Sequence, residues 1–284
     1  MPWWLKICAK IVLARLPMKY GLWRTLKLFR HGAMVDPDYA LKVFRRHHQA
    51  VQDYRPLQPG FTALELGPGD SVLSALLVKA FGGQYCTLVD SGDFADKSPE
   101  TYRQAVSEYQ KLGHLNLPPL EDIVSREKVL ELTNSTYLCH GVLSLQTLPE
   151  QSVDFIWSQA VLEHVLLNEV RENLTQMRRI IRDDGICSHR VDLKDHLTSG
   201  LNNLRFSRAL WEGELFSKSG FYTNRIRFSE YLKLFEEAGF TVQVTAIEKW
   251  DKLPISRHAL NTEWRDLPEE ELLVSGFDVL LTPI

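Results

Sequence analysis

One stretch restricts this chain more than any other: an apolar run stops at two glycines one residue apart, and helical spacing resumes just after them. Phe61, Ala63, Leu64 and Leu66 read as a strand buried on both faces, as in a parallel sheet. Gly67-Pro68-Gly69 cannot extend that strand. Glycines there allow a sharp turn and let a ligand approach the backbone with no Cβ in the way. Ser71, or Asp70 in its place, is positioned to cap the helix carrying Leu73, Leu76, Leu77 and Ala80. The first amides of that helix and the positive end of its dipole would face whatever lies over the turn. Strand, glycine turn and helix N-terminus together suit a nucleotide-like ligand, although an ordinary tight turn can use the same residues.

The bulk properties leave room for that site and exclude little. A chain of 284 residues, 44% hydrophobic, can bury one large core with appendages. A formal charge of −3 offers no general argument for nucleic acid, and none is expected as a partner. Cys8, Cys86, Cys139 and Cys187 are scattered without metal-type pairing, which suits a reducing cytoplasm. No run approaches the ~20 apolar residues of a membrane span.

The first thirty residues mix Trp3, Trp4, Leu5, Ile7, Ile11, Trp23 and Phe29 with Lys6, Lys10, Arg15, Lys19, Arg24, Lys27 and Arg30, and no acid precedes Asp36. Lys6 and Lys10 make this a poor signal peptide. Pro17 divides it into two short helices, which either cap the main domain or lie on an anionic membrane surface. Residues 38 to 53 read as a further helix, with Tyr39, Val43, Phe44 and Val51 inward and Arg45, Arg46, His47 and His48 as its solvated face. Residues 1–55 are thus expected as a helical cap, and 56–284 as the main domain.

From Phe61 onward strand and helix alternate. Tyr85 to Asp90 is a second strand that ends in an acid, where a ribose hydroxyl pair is commonly held in such units. Thr136 to His140, Val153 to Ser158 and Gly185 to Val191 are three more strands, with a helix from Glu169 to Arg182 before the last. Phe228 to Ala238 is an amphipathic helix stopped by Gly239, followed by strands at Phe240 to Ile247 and Gly276 to Leu281. The pattern predicts an α/β, doubly wound, seven-stranded and mostly parallel sheet. Ligands bind such sheets outside the carboxyl ends of the strands. A nicotinamide cofactor is disfavoured because Val72 stands where its fingerprint wants a third glycine.

Taken in order, Leu64-Glu65-Leu66-Gly67-Pro68-Gly69, Val89-Asp90, Leu148 to Phe155, Val161-Leu162-Glu163-His164-Val165 and Ile180 to Gly185 resemble the class I S-adenosylmethionine-dependent methyltransferases. The group resembled is the one of small-molecule enzymes with a Leu-Glu-His segment, and the likeness runs over about residues 60 to 192. It implies a Rossmann-like methyltransferase fold with S-adenosyl-L-methionine as cofactor. Glu65 would reach the cofactor's amino-acid end, with Gly67, Pro68 and Gly69 against its backbone. Asp90 would hold the ribose, Gly141 and Val142 would flank the adenine, and Ser158 and Gln159 would face the methionine part. Members commonly carry an acid after the third strand, where this chain has His140-Gly141.

Methyl transfer to a hydroxyl needs a base. His164 lies after the fourth strand, and His189, Asp192 and His196 lie at the end of the fifth. His196 is the preferred base, with Asp192 its orienter and His164 a further candidate. His189, Asp192 and His196 could also ligate a metal, but no metal site is assigned. Residues 193–226 do not continue the sheet. Their Phe206, Trp211, Phe216, Phe221 and Tyr222, mixed with Asn202, Asn203, Asn224 and Arg225, suit an acceptor-binding insertion or a packed lid. Residues 249–270 read as surface loops near the same mouth. The expected acceptor is a small molecule, a saccharide or natural-product hydroxyl first. A lipid or quinone at the membrane surface, or a scaffold that binds cofactor without catalysis, are the alternatives.

Overall fold

A computed structural model describes residues 2–13, 33–114 and 116–284. Its centre is a seven-stranded sheet in the order β3-β2-β1-β4-β5-β7-β6. The strands are β1 (Thr62–Leu66), β2 (Tyr85–Val89), β3 (Ser135–Leu138), β4 (Val153–Gln159), β5 (Ile181–Asp192), β6 (Phe240–Lys249) and β7 (Val274–Pro283). Neighbours from β3 across to β5 are parallel, and β7 runs antiparallel to both β5 and β6. The order reverses between β1 and β4, so the ligand crevice of a doubly wound sheet falls at their carboxyl ends. The expected doubly wound, mostly parallel sheet is observed.

Each face of the sheet is closed by its own apolar layer. One holds Phe44, Leu76, Leu77, Tyr102, Phe155 and Trp157, contributed by α2 (Pro37–Tyr54), α3 (Leu73–Ala80), α4 (Pro99–Lys111) and β4. The other holds Leu64, Ile156, Met177, Ile180, Phe235 and Phe277, with α7 (Val170–Ile180) and α10 (Phe228–Glu237) outside; α5 (Arg126–Leu132) and α6 (Val142–Gln146) intervene in the chain. Near-continuous apolar strands are what a sheet covered on both faces requires. The helix before β5 stops at Ile180 rather than Arg182, because Ile181 already pairs with Val153 before the register shifts to Phe155 with Ile186.

Two local expectations are corrected. The N-cap of α3 is Val72, which has no side chain to cap with. Asp70 instead accepts from Val35 N at 3.0 Å, and Ser71 donates to the Met34 carbonyl while accepting from Leu73 N at 3.3 Å. These two side chains tie the segment entering α2 onto the glycine turn. On α2 itself Tyr39 is exposed, and the buried face is Ala40, Leu41, Val43, Phe44, His47 and Val51. His47 is therefore a core residue.

Helix α1 (Trp3–Leu13) is the described part of the N-terminus, and the second helix expected beyond Pro17 lies outside the described residues. Ile7 packs with Leu197, Trp211, Phe216, Phe221 and Tyr222 in a small core of the 193–226 insertion, which includes α8 (Arg208–Trp211) and α9 (Glu214–Ser217). Lys6 donates to the Leu197 carbonyl at 2.6 Å and Lys10 to those of His196 and Gly220, both at 3.3 Å. The insertion's aromatic rings are thus buried against one another. Its Asn202, Asn203, Asn224 and Arg225 are buried too. The 249–270 segment is more than surface loop: Leu260 and Trp264, the latter from α11 (Thr262–Arg265), form another small core with Leu201, Leu204 and Leu272, the last from α12 (Glu269–Leu273). Arg225 joins these two small cores, its guanidinium 5.1 Å from the ring centroids of both Trp211 and Trp264.

Candidate active site

The glycine turn leaves β1 with Gly67 at φ +68 and Gly69 at φ +70, backbone that side chains rarely adopt. A Cβ on Gly67 would also lie 2.4 Å from a methyl of Val161, so the turn and the loop after β4 touch. Beneath the turn, Glu65 is fully buried. Its Oε1 accepts from Trp157 Nε1 at 3.1 Å, and its Oε2 has no hydrogen-bond partner among the described residues. Burial pushes its carboxyl up to about 8. An unsatisfied buried carboxyl oxygen at the switch point is what a ligand's cationic or hydroxyl group would complete.

Asp90 stands at the tip of β2. Its Oδ2 accepts from Gly69 N at 3.2 Å and its Oδ1 from Ser91 N at 2.7 Å. Burial raises its pKa to about 6, against these amide donors. Its own backbone bonds Leu138 O and Gly141 N, at 2.9 and 2.8 Å, so the tips of β2 and β3 are tied together. Gly141 takes φ +52 and starts α6 at Val142. His140 lends its amide to Ser144 Oγ, and its side chain lines a shallow depression with Leu138, Leu143, Ser144 and Thr147. Glu65, Gly67, Pro68, Gly69, Asp90, Gly141 and Val142 thus share one edge of the sheet.

Ser158 and Gln159 divide. The Ser158 hydroxyl is buried and bonds His189 Nδ1 at 2.7 Å, so it offers no side chain to a ligand above the edge. Gln159 remains at the edge, held from below by His47. His47 Nε2 meets Gln159 Oε1 at 3.0 Å, and His47 Nδ1 meets Ser188 Oγ at 2.8 Å. An amide oxygen only accepts, so Nε2 carries the proton and Ser188 donates to Nδ1. Burial lowers His47 to about 4 and His189 to about 3. His189, a sequence candidate for base or ligand, is consequently a neutral core residue.

The remaining candidates separate differently. His164 ends the short turn after β4, and His196 follows β5. Their ring centroids lie 4.6 Å apart, so the structure brings together two histidines 32 positions apart in the chain. His164 Nδ1 donates to the Tyr222 carbonyl at 3.1 Å. Asp192 does not orient His196. Its Oδ1 accepts from Lys194 N at 2.9 Å and pairs with Lys194 Nζ at 3.5 Å. Asp195, the acid next to His196, is buried and accepts from Leu197 N, Thr198 N and Asn202 N, which shapes the loop carrying His196. Partial burial, and then the charge of Lys10, lower the pKa of His196. Sequence reasoning missed His47, whose spacing of three from Phe44 and four from Val51 placed it on the apolar face of α2.

The family described as "Methyltransferase domain" matches residues 64–188, from β1 into β5. No curated protein matches the chain. Among solved structures it is similar to the YcgJ protein of Bacillus subtilis, at 16% identity and a TM-score of 0.46, covering 84% of this chain and 99% of that one. It is also similar to a SAM-dependent methyltransferase of Methanosarcina mazei, at 14% identity and a TM-score of 0.44, covering 83% and 97%. Over residues 64–188 the strand order, the glycine turn with its acids and the family match together identify a methyltransferase domain of the class I type, with S-adenosylmethionine as its methyl donor.

Proposed function

We propose that the chain methylates a hydroxyl of a small-molecule acceptor seated at the mouth between the glycine-turn edge and the 193–226 insertion, and that Glu65, Gly67, Pro68, Gly69, Asp90, Gly141, Val142 and Gln159 hold the donor. The observation that carries this reading is the His164–His196 pair, 4.6 Å between rings, at the carboxyl side of β4 and β5. S-adenosylmethionine supplies an electrophilic methyl on a sulfonium that leaves as a neutral thioether. The protein's part is to align the acceptor oxygen, exclude water and accept one proton. A neutral His196 imidazole has a lone pair for that proton. His164, its Nδ1 proton given to Tyr222, turns Nε2 toward the same space and positions the acceptor oxygen. With the insertion's rings spent on packing, the acceptor meets the edge of the insertion rather than a ring platform. A saccharide is the first acceptor class to test.

A second reading has its own observation. Helix α1 turns Lys6 and Lys10 toward the protein, while Trp4 and Leu5 are 53% and 40% exposed and Cys8 is exposed as well. An outward apolar face beside a basic segment suits an anionic lipid surface, where the acceptor would be a lipid or quinone. No described helix is long and apolar enough to cross a membrane. Methyl-labelled donor with panels of free saccharides, natural-product phenols and quinol-bearing vesicles tests both. Label in a free hydroxyl compound supports the first reading, and label only with vesicles supports the second. No label in any pool, with the donor bound, contradicts both and favours a non-catalytic binding scaffold.

A further inference from the structure

Glu163 lies next to His164 and is 2% exposed. Neither of its carboxyl oxygens has a hydrogen-bond partner among the described residues. Arg190, a cation that acts on it, is paired with Glu248 and Asp278. A buried carboxylate is unfavourable unless something supplies charge or donors. Donor atoms of Glu163, His164 and His196 all lie within 4.8 Å of one another.

The turn that carries two of these residues is clamped from the insertion. Asn224 Nδ2 donates to the carbonyls of Leu162 and Val165, at 2.8 and 3.1 Å, and Asn224 N donates to the Glu163 carbonyl at 2.7 Å. The His164 Nδ1 proton is held by the Tyr222 carbonyl, which fixes the tautomer with its lone pair on Nε2. A histidine whose far nitrogen donates to a backbone carbonyl is the usual state of a metal ligand. A tetrahedral cation sets its donors ~3.4 Å apart, so the imidazoles would turn inward from their present spacing to close on it.

We propose that Glu163, His164 and His196 bind one divalent transition-metal cation, of the zinc, cobalt or iron(II) class. Two imidazole nitrogens and one carboxylate favour these over magnesium or calcium. Three protein ligands leave a position open for an oxygen of the acceptor. That last step rests on the acceptor site proposed above; the binding of the cation does not. A lone pair given to a cation is not available to a proton. In the metal-loaded protein His196 is therefore a ligand, and the acceptor hydroxyl, acidified on the cation, loses its proton to solvent.

The test uses the full chain, stripped with a chelator and titrated with Co2+ while visible absorption is followed, then with Zn2+ and Mg2+ by calorimetry. The expected result is one Co2+ per chain with tetrahedral visible bands, bleached by Zn2+ and not by Mg2+. His196→Ala, at an exposed residue, and Glu163→Gln should each weaken Co2+ binding at least ten-fold. Absence of saturable binding, or unchanged affinity in His196→Ala, overturns the inference. Methylation that persists in stripped protein without any bound cation overturns the metal and leaves the proposed function standing. A bound cation with no methylation of any acceptor does the reverse.

Discussion

His47 on α2 and Gln159 at the end of β4 share a hydrogen bond of 3.0 Å, although 112 residues separate them. The same imidazole accepts from Ser188 on β5. One buried ring therefore ties the helix before the sheet to the two strands whose ends form the donor crevice. His47→Leu should cost ~1 to 3 kcal/mol of stability by leaving the Ser188 hydroxyl and the Gln159 amide without their partner. It should also weaken S-adenosylmethionine binding several-fold. Chemical denaturation and calorimetry on the same variant measure both, and an unchanged affinity would detach Gln159 from the donor.

Two buried histidines make folding sensitive to acid. His47 and His189 have native pKa values of about 4 and about 3, below the ~6.5 of an unfolded histidine. In this window the unfolded chain binds more protons, so stability falls as pH drops below ~6.5 and stops falling for this reason near pH 3. The two rings contribute a slope of up to ~2.7 kcal/mol per pH unit, opposed over the same range by Glu65 and Asp90, whose native values of about 8 and about 6 lie above the unfolded carboxylate range and favour the folded state as pH falls. Denaturation midpoints between pH 7 and 4 check this. His189→Gln should change that slope by up to ~1.4 kcal/mol per pH unit, the share of one ring.

Much of this was legible in the residues, and what was not has a physical reason. The glycine turn, Asp90, the strand series and the late strand pair announce themselves through local periodicity and punctuation. The position of the antiparallel β7 between β5 and β6 is not legible in the strand series alone. His47 was hidden because two adjacent histidines beside two arginines look solvated, and only the register of α2 separates them. The insertion's aromatics were ambiguous because composition cannot say whether a ring faces a ligand or another ring. Part of their packing partner, Ile7 of α1, lies about 200 to 215 positions earlier in the chain. Asp192 failed as the orienter of His196 because Lys194, two residues on, satisfies it locally.

Turnover separates the two residues at the end of β5. His196→Ala should lower kcat by about 10² with little change in donor affinity, in keeping with loss of a proton acceptor or ligand at the acceptor. Asp192→Asn should leave kcat within a few-fold of the parent, because its contacts are to Lys194. Steady-state rates for the pair decide it. Equal losses would restore Asp192 as the orienter.

Donor binding should release a proton near neutral pH. Glu65 holds its proton up to about 8 in the free protein. The cationic amino-acid end of the donor, arriving at its Oε2, favours the carboxylate and drives that proton off. Calorimetry at pH 7 in buffers of different ionisation enthalpy should show release of up to one proton per donor. The release should fade above pH 8 and vanish in Glu65→Gln.

The central claim is that the edge built by β1 and β2 is the S-adenosylmethionine site, with Asp90 on the ribose. Calorimetric titration of the full chain and of Asp90→Ala with S-adenosylmethionine tests it most directly. One donor per chain should bind at pH 7.5, with affinity falling as pH drops below about 6, where Asp90 takes up a proton. Asp90→Ala should bind at least ten-fold more weakly, the equivalent of ~1.5 to 3 kcal/mol for a charged acceptor of two hydroxyl protons. No binding by the parent chain, or equal affinity in Asp90→Ala, would contradict the account.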